Sequence, residues 1–325
     1  MLSLEHISKS FPVEDRTLTS WFRKETQQLR AVVDVNLEVA EGEVLGIVGE
    51  SGCGKSTLAR MVAGIMQPSD GTIRYRGNDL SKLPKRERNA LETEIQMVFQ
   101  DPFYSLNPRV KIVDTVGRAP VYHGLIDRRD QESYVDRLLV RVGLDPSYKS
   151  RLPHQFSGGQ RQRIGIARAL AVNPKLLVCD EAVAALDVSI QAQILNLFMD
   201  LRDELKLTYV FISHNLGVIS HLCDRVAVMY LGRIVEIGPR AEVFARAHHP
   251  YTQGLIAEVP RVKASKRRYV GIPGEIPSPL SPPSGCAFHP RCQHATERCR
   301  IEAPSLKAVG SGHGSACHLN DQKEI

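Results

Sequence analysis

At 325 residues the chain has room for one large domain and a smaller appendage, with a core that needs no staples. Its formal net charge of +6 is mostly dispersed instead of massed in a stripe, so nucleic acid is not singled out, and a membrane surface or an acidic protein fits equally well. No run of 18 apolar residues exists and the opening MLSLEHISKSF has no signal-peptide architecture, so the chain is expected neither to span nor to cross a membrane by itself and to reside in the cytoplasm.

Apolar runs at residues 2–7, 31–39 and 44–48 read as short strands. The polar segment 14–28, carrying Trp21 and Phe22, is longer than a tight hairpin requires and is expected either to lie on a neighbouring subunit or to form a solvent-facing insertion. The third strand runs into Gly49, Glu50, Ser51, Gly52, Cys53, Gly54, Lys55, Ser56 and Thr57 (GESGCGKST), followed by a helical run at 58–65. In that context the glycines let successive backbone N–H groups point into one concavity. Lys55 can then reach the terminal phosphates of a nucleotide, Ser56 can ligate Mg²⁺, and Thr57 opens a helix whose N-terminal dipole faces the anion. Residues 71–76 and 94–99 are further strand candidates, and 130–142 is a helix with Tyr134, Leu138 and Val142 at i, i+4 and i+8.

Ser157, Gly158, Gly159 and Gln160 precede a helical run at 160–171, making a second anion-binding helix start in which Ser157 can cap the helix or donate to a phosphate. Alone, this is an ordinary cap. One chain has little need of two γ-phosphate sites, so the second is expected to close over nucleotide held by another subunit. The apolar run 176–179 ends in two carboxylates: Asp180 is placed to bind Mg²⁺ through water and Ser56, and Glu181 to orient or deprotonate an attacking water. Further helix and strand patterns at 189–204, 208–212, 216–222 and 226–230 complete an α/β nucleotide-binding core with a parallel sheet buried on both faces.

Composition changes near residue 260. Residues 263–268 are basic, 272–285 are dominated by proline, serine and glycine, and apolar periodicity disappears. Residues 260–325 therefore read as a linker and a small extension whose order must come from something other than a hydrophobic core. Of seven cysteines, Cys53, Cys179 and Cys223 are scattered, whereas Cys286, Cys292, Cys299 and Cys317 crowd this tail as C-x5-C-x6-C-x17-C. Four thiolates suit tetrahedral zinc or a [4Fe–4S] cluster, the spacing alone does not choose, and an unmetallated set stays open. Replacing Cys286 and Cys292 is expected to disturb residues 270–325 and leave nucleotide contacts intact.

On these motifs the chain resembles the ATP-hydrolysing subunits of ATP-binding cassette transporters. Over nearly its whole length it is similar to the second ATPase subunit of bacterial dipeptide and oligopeptide importers, in ALDVSIQAQILNL, VMYLGRIVEIG, HHPYTQGL and PGEIPSPLSPPSGCAFHPRC. The resemblance implies an α/β P-loop NTPase cassette over residues 1–258, with an N-terminal antiparallel β subdomain, a parallel-sheet core and a helical subdomain at about 101–170; a linker and Cys-rich extension occupy 259–325. It implies that residues 49–57 hold the ATP phosphates and that Phe11 stacks on adenine. Gln100, in VFQDPFYSLNPR, is the lid glutamine beside Mg²⁺ or water, and FSGGQRQR from Phe156 is the signature. Ser56, Gln100 and Asp180 are the implied Mg²⁺ residues, Asp187 belongs to the inter-subunit loop with Ala185 and Leu186, and His214 in YVFISHN is the switch histidine. Lys55, Gln100, Glu181 and His214 form the implied catalytic set.

Such a subunit is implied to pair head to tail with a related ATPase subunit around two ATP molecules, and to drive two transmembrane permease subunits served by an extracytoplasmic solute-binding protein. It would work at the cytoplasmic face of the bacterial inner membrane, without nucleic acid. Some members of this branch carry a [4Fe–4S] cluster on four tail cysteines, which implies Cys286, Cys292, Cys299 and Cys317 as ligands, with Zn²⁺ as the alternative. Ala182, Ala184 and Asn215 stand where the family generally has proline, serine and aspartate; none removes a phosphate or metal contact. Another cargo, such as nickel, an opine, glutathione or an antimicrobial peptide, would leave this subunit's sequence almost unchanged. A soluble cassette acting in DNA repair or on the ribosome would carry long core insertions or two cassettes, and neither is visible.

Overall fold

Runs such as VLGIV and TYVFI have no alternating polar positions, so a sheet built from them must be covered on both faces. The computed structural model, which describes residues 1–13, 27–101, 103, 105–258 and 271–323, has that arrangement. In chain order its elements are β1 (Leu2–Val13), β2 (Gln27–Val39), β3 (Val44–Val48), α1 (Lys55–Val62), β4 (Asp70–Tyr75), β5 (Asn78–Asp79), α2 (Lys85–Glu94) and β6 (Ile95–Val98). They continue as α3 (Ile112–Tyr122), α4 (Gln131–Arg141), α5 (Gly158–Leu170), β7 (Leu176–Asp180), α6 (Val188–Leu205), β8 (Thr208–Ile212), α7 (Leu216–Leu222) and β9 (Arg225–Tyr230). Last come β10 (Arg233–Pro239), α8 (Arg240–Ala245), α9 (Pro250–Ala257), α10 (Glu297–Ile301), β11 (Lys307–Gly310) and β12 (His313–Ser315). Of the polar segment expected at 14–28, residues 14–26 lie outside the described residues, and Gln27 and Gln28 open β2; the basic run at 263–268 also lies outside them.

β9, β3, β8, β7 and β6 lie side by side and parallel. Every residue of β3, β7 and β8 is buried. One face, carrying Val44, Val48, Cys179, Tyr209 and Phe211, packs against helix residues such as Leu138, Ile164 and Phe198. The other face, carrying Leu45, Ile47, Val178, Val210 and Ile212, packs against Leu58 and Val62 of α1 and against Leu4, Ile7 and Val35. Those last three belong to a separate antiparallel sheet in the order β2-β1-β4-β5. Burial of each such side chain contributes about 1.5–3 kcal/mol, and a one-residue slip of β3 would exchange its two faces, so the register that aims the loop after Val48 is strongly specified. α3, α4 and α5 pack on one another between β6 and β7 in the chain.

The extension is joined to the cassette more closely than its composition suggests. β10 adds antiparallel to β9, β12 adds antiparallel to β10 (Glu236 opposite Ser315, Ile237 opposite Gly314), and β11 completes the edge. Phe288, 4% exposed, enters the cassette core with its ring centroid 5.3 Å from that of Tyr230 and 5.4 Å from that of Tyr251. Its order thus draws on the cassette's own sheet and core, which a composition-based reading of residues 260–325 leaves out. Behind β12, the fully buried Glu236 carboxylate accepts from the backbone N–H groups of His248 (2.6 Å) and His249 (3.0 Å) and lies 2.8 Å from His313 Nε2.

Candidate active site

Two glycines shape the loop between β3 and α1. A Cβ on Gly54, at φ 107°, would fall 2.1 Å from the Ala31 carbonyl oxygen, and one on Gly49 would fall 2.1 Å from that of Met229. The backbone there approaches its neighbours too closely for any side chain. Lys55, 4% exposed, donates from Nζ to the carbonyls of Gly49 and Glu50, both at 2.8 Å, which holds its ammonium over the loop. An ammonium so placed, with the N–H groups of the α1 start, suits a polyphosphate.

Beside it, Ser56 Oγ donates to Asp180 Oδ1 at 2.8 Å, joining the start of α1 to the end of β7. Burial pushes the Asp180 carboxyl up, with the Ser56 hydrogen bond opposing. A divalent cation would act against that shift, and two hard oxygens from a hydroxyl and a carboxylate suit Mg²⁺. The next residue, Glu181, has φ 46° and is anchored by its N–H to the Ile212 carbonyl at 3.0 Å. Its Oε2 accepts from Gln100 Nε2 at 2.9 Å and lies 3.2 Å from His214 Nδ1. Residues from the ends of β3, β6, β7 and β8 thus meet beyond the carboxyl edge of the parallel sheet, where open α/β sheets bind ligands.

Ser157, Gly158, Gly159 and Gln160 lie apart from this group. Ser157 Oγ accepts from Gln160 N–H (3.3 Å), and Gln160 Oε1 accepts from Ser157 N–H (3.0 Å), a reciprocal cap on α5. Among the described residues no hydrogen bond links these four to residues 49–57; a Cβ on Gly158 would meet Leu186 and one on Gly159 would meet Ile190, on either side of the exposed Asp187 at the N-cap of α6. Phe11 lies half-buried on β1 under Lys9, whose Nζ is 5.5 Å from the ring centroid.

A family model described as ABC transporter matches residues 32–184, and one described as oligopeptide/dipeptide transporter, C-terminal region, matches 235–299. The chain is 48% identical over 320 residues to a probable peptide ABC transporter ATP-binding protein, y4tS, of Sinorhizobium fredii, covering 98% of this chain and 90% of that one. It is 46% identical over 323 residues to the oligopeptide transport ATP-binding protein AppF of Bacillus subtilis, covering 98% and 97%. The chain belongs to the ABC transporter family. The dimeric post-hydrolysis ATP-binding cassette MJ0796 bound to ADP and Pi superposes with a TM-score of 0.65 at 26% identity, covering 74% of this chain and 99% of that one. The ATP-binding cassette fold and ATPase class expected from the motifs hold, and among the described residues no helix is long and apolar enough to cross a membrane.

Two contacts of this ABC ATPase were not read from the sequence. The segment after Gln100 is tied to the signature helix, with the Arg161 guanidinium 3.9 Å from the Phe103 ring centroid and Arg168 Nη1 donating to the Ser105 carbonyl. The second is Arg291, from the extension, whose guanidinium grips the Glu50 carboxylate with two hydrogen bonds of 2.7 and 2.9 Å. The loop at 49–57 and the Cys286–Cys292 segment therefore touch through Arg291 and Glu50, a contact on which the expected indifference of the nucleotide contacts to Cys286 and Cys292 can be tested.

The four tail cysteines line one small cavity with His249, His289 and His318. Burial pushes the Cys317 thiol up to about 11, and raises those of Cys286 and Cys292. Among the described residues no three His, Cys, Asp or Glu side chains form a ready metal site. Four soft donors around a shared space nonetheless suit a thiolate-bound metal centre, whose positive charge would reverse those shifts.

Proposed function

We propose that this ATPase powers import of dipeptides and oligopeptides through a membrane transporter. The observation that carries the catalytic part is the Glu181 carboxylate held by Gln100 and His214 beside the Ser56–Asp180 pair. In this reading residues 49–57 bind the ATP phosphates, Lys55 meets their terminal charge, and Phe11 stacks on adenine. Ser56, Asp180 and Gln100 would hold Mg²⁺, which when bound neutralises charge on the phosphate oxygens. Glu181 orients the attacking water and accepts its proton, with Gln100 and His214 fixing the carboxylate.

The separation of Ser157, Gly158, Gly159 and Gln160 from the chain's own loop supports a head-to-tail pair with a related ATPase subunit, in which each signature and Asp187 loop completes the partner's site. The chain would sit at the cytoplasmic face of the inner membrane against two permease subunits served by an extracytoplasmic binding protein. Residues 1–258 form the cassette, with the helical part at about 101–170, and 259–325 the linker and extension. The matched C-terminal family and the peptide-transport relatives support the peptide cargo. The cysteine-lined cavity would hold a [4Fe–4S] cluster as a structural staple or an iron-sensitive brake.

The test is anaerobic purification with co-purifying partners, iron, sulfide and zinc analysis, and reconstitution with the binding protein in vesicles. Peptide-stimulated ATP hydrolysis, with about four irons and four sulfides per chain, is expected. Hydrolysis indifferent to peptides would remove the cargo assignment, and zinc or no metal would remove the cluster.

A further inference from the structure

Arg291 is the last residue of a short turn between Cys286 and Cys292, and its side chain is 4% exposed. It is fixed from several sides. Nε donates to the Pro273 carbonyl at 3.0 Å, the guanidinium carbon lies 5.9 Å from the Tyr230 ring centroid and 6.0 Å from that of Phe288, and Nη1 and Nη2 form the fork on Glu50. Glu50 is in turn held along its backbone: its N–H donates to the Tyr251 hydroxyl at 2.9 Å and its carbonyl accepts from Lys55 Nζ at 2.8 Å. Glu50 thus brings a carboxylate into a loop built to bind polyanionic phosphate, and Arg291 is the cation that neutralises it. A planar fork packed between aromatic rings also fixes the direction of the carboxylate, which a lysine ammonium does not do.

We propose that Arg291 is a positioning residue for the phosphate loop, so that ATP affinity depends on the packing of the cysteine-bracketed segment against the cassette. Without Arg291, Glu50 presents an unpaired charge to the phosphates and the loop loses one of its side-chain anchors. The link does not require any particular occupant of the cavity; it rests on Cys286 and Cys292, partly buried, packing against the cassette core on either side of the segment.

The experiment measures equilibrium binding of a fluorescent ATP analogue to the full chain, with hydrogen exchange of residues 49–55 as a second readout. R291M should weaken binding about tenfold or more and R291K by an intermediate amount, because breaking a desolvated charge pair leaves the remaining charge exposed to the ligand. E50Q/R291M, which removes the stranded carboxylate, should bind clearly more tightly than R291M alone. Chemical denaturation of each variant separates positioning from a folding defect, because E50Q removes the stranded charge in either case; a binding loss with an unchanged denaturation midpoint is the positioning result. R291M binding within about twofold of the wild type, a factor worth less than a typical charge-assisted hydrogen bond, would overturn the proposal, as would an absent rescue. C286S/C292S, with Arg291 intact, should lose affinity and loop protection in the same direction. Unchanged affinity there would overturn the link to the cysteine segment, whereas the R291M arm tests the role of Arg291 without any assumption about the cavity.

Discussion

Glu181 sits at φ 46°, a left-handed backbone that a residue with a Cβ adopts only where its surroundings over-determine it. The anchors are its N–H on Ile212 and a carboxylate held by Gln100 and His214. Ala182, where the family generally has proline, is 1% exposed and part of the core behind this carboxylate. Asn215, where the family often has aspartate, caps α7, its Oδ1 accepting from the Gly217 N–H at 2.8 Å. Either side chain presents that oxygen, so N215D should be near-neutral in stability and N215A should cost about 1 kcal/mol, measured by chemical denaturation. At this scale the meeting of Ser56 with Asp180, and of Gln100 and His214 with Glu181, was foreshadowed in the sequence, because each stands in a motif of short spacing. Arg291 was not, because its partner Glu50 is 241 residues away and an isolated arginine in a proline-rich tail has no pattern to read.

Elements with apolar periodicity were legible, and the others were not. The helix expected at 130–142 is α4, Gln131–Arg141, and the strands expected at 44–48 and 208–212 occur as read. α2 reads KRERNALETE, with too few apolar positions to reveal a period, α3 carries Pro120 and Gly117 within its span, and β12 is three residues long. Those elements depend on what they pack against. The N-terminus of α9 has a consequence that can be measured. His249, 1% exposed, accepts from the Tyr251 N–H through Nδ1 at 3.1 Å, so that atom must be unprotonated, and burial pushes its pKa down to about 3 from the ordinary 6.5. Between those values the unfolded chain binds a proton that the folded chain does not. Stability is therefore full above pH 6.5 and falls on acidification towards about 3, with a slope approaching about 1.4 kcal/mol per pH unit. H249N, which can still cap α9, should flatten this slope in denaturation curves taken between pH 6.5 and 4.

The whole molecule keeps the loop at 49–57 and the capped start of α5 apart, with no hydrogen bond between them among the described residues, and connects them indirectly. The loop at 49–57 meets Asp180 through Ser56, next to Glu181 with its Gln100 and His214 contacts, while Ser157 caps α5 without a hydrogen bond to that loop among the described residues. Phe103 with Arg161, and Ser105 with Arg168, join the segment after Gln100 to that helix. In the proposed function, a shift of Gln100 on or off bound nucleotide would have a packed route to α5. The extension adds a second route, through Arg291 to Glu50. The sequence raised a head-to-tail use of the helix start at Ser157 through its redundancy with the loop at 49–57, but neither route was legible, because both run through side chains from segments distant in the chain. The proposed catalytic role of Glu181 underlies all of this, and its most direct test is single-turnover ATP hydrolysis by E181Q, with nucleotide binding measured in parallel. Binding should stay close to wild type while hydrolysis falls by about a hundredfold or more, the usual contribution of a positioned base. Hydrolysis at the wild-type rate would contradict the role of Glu181.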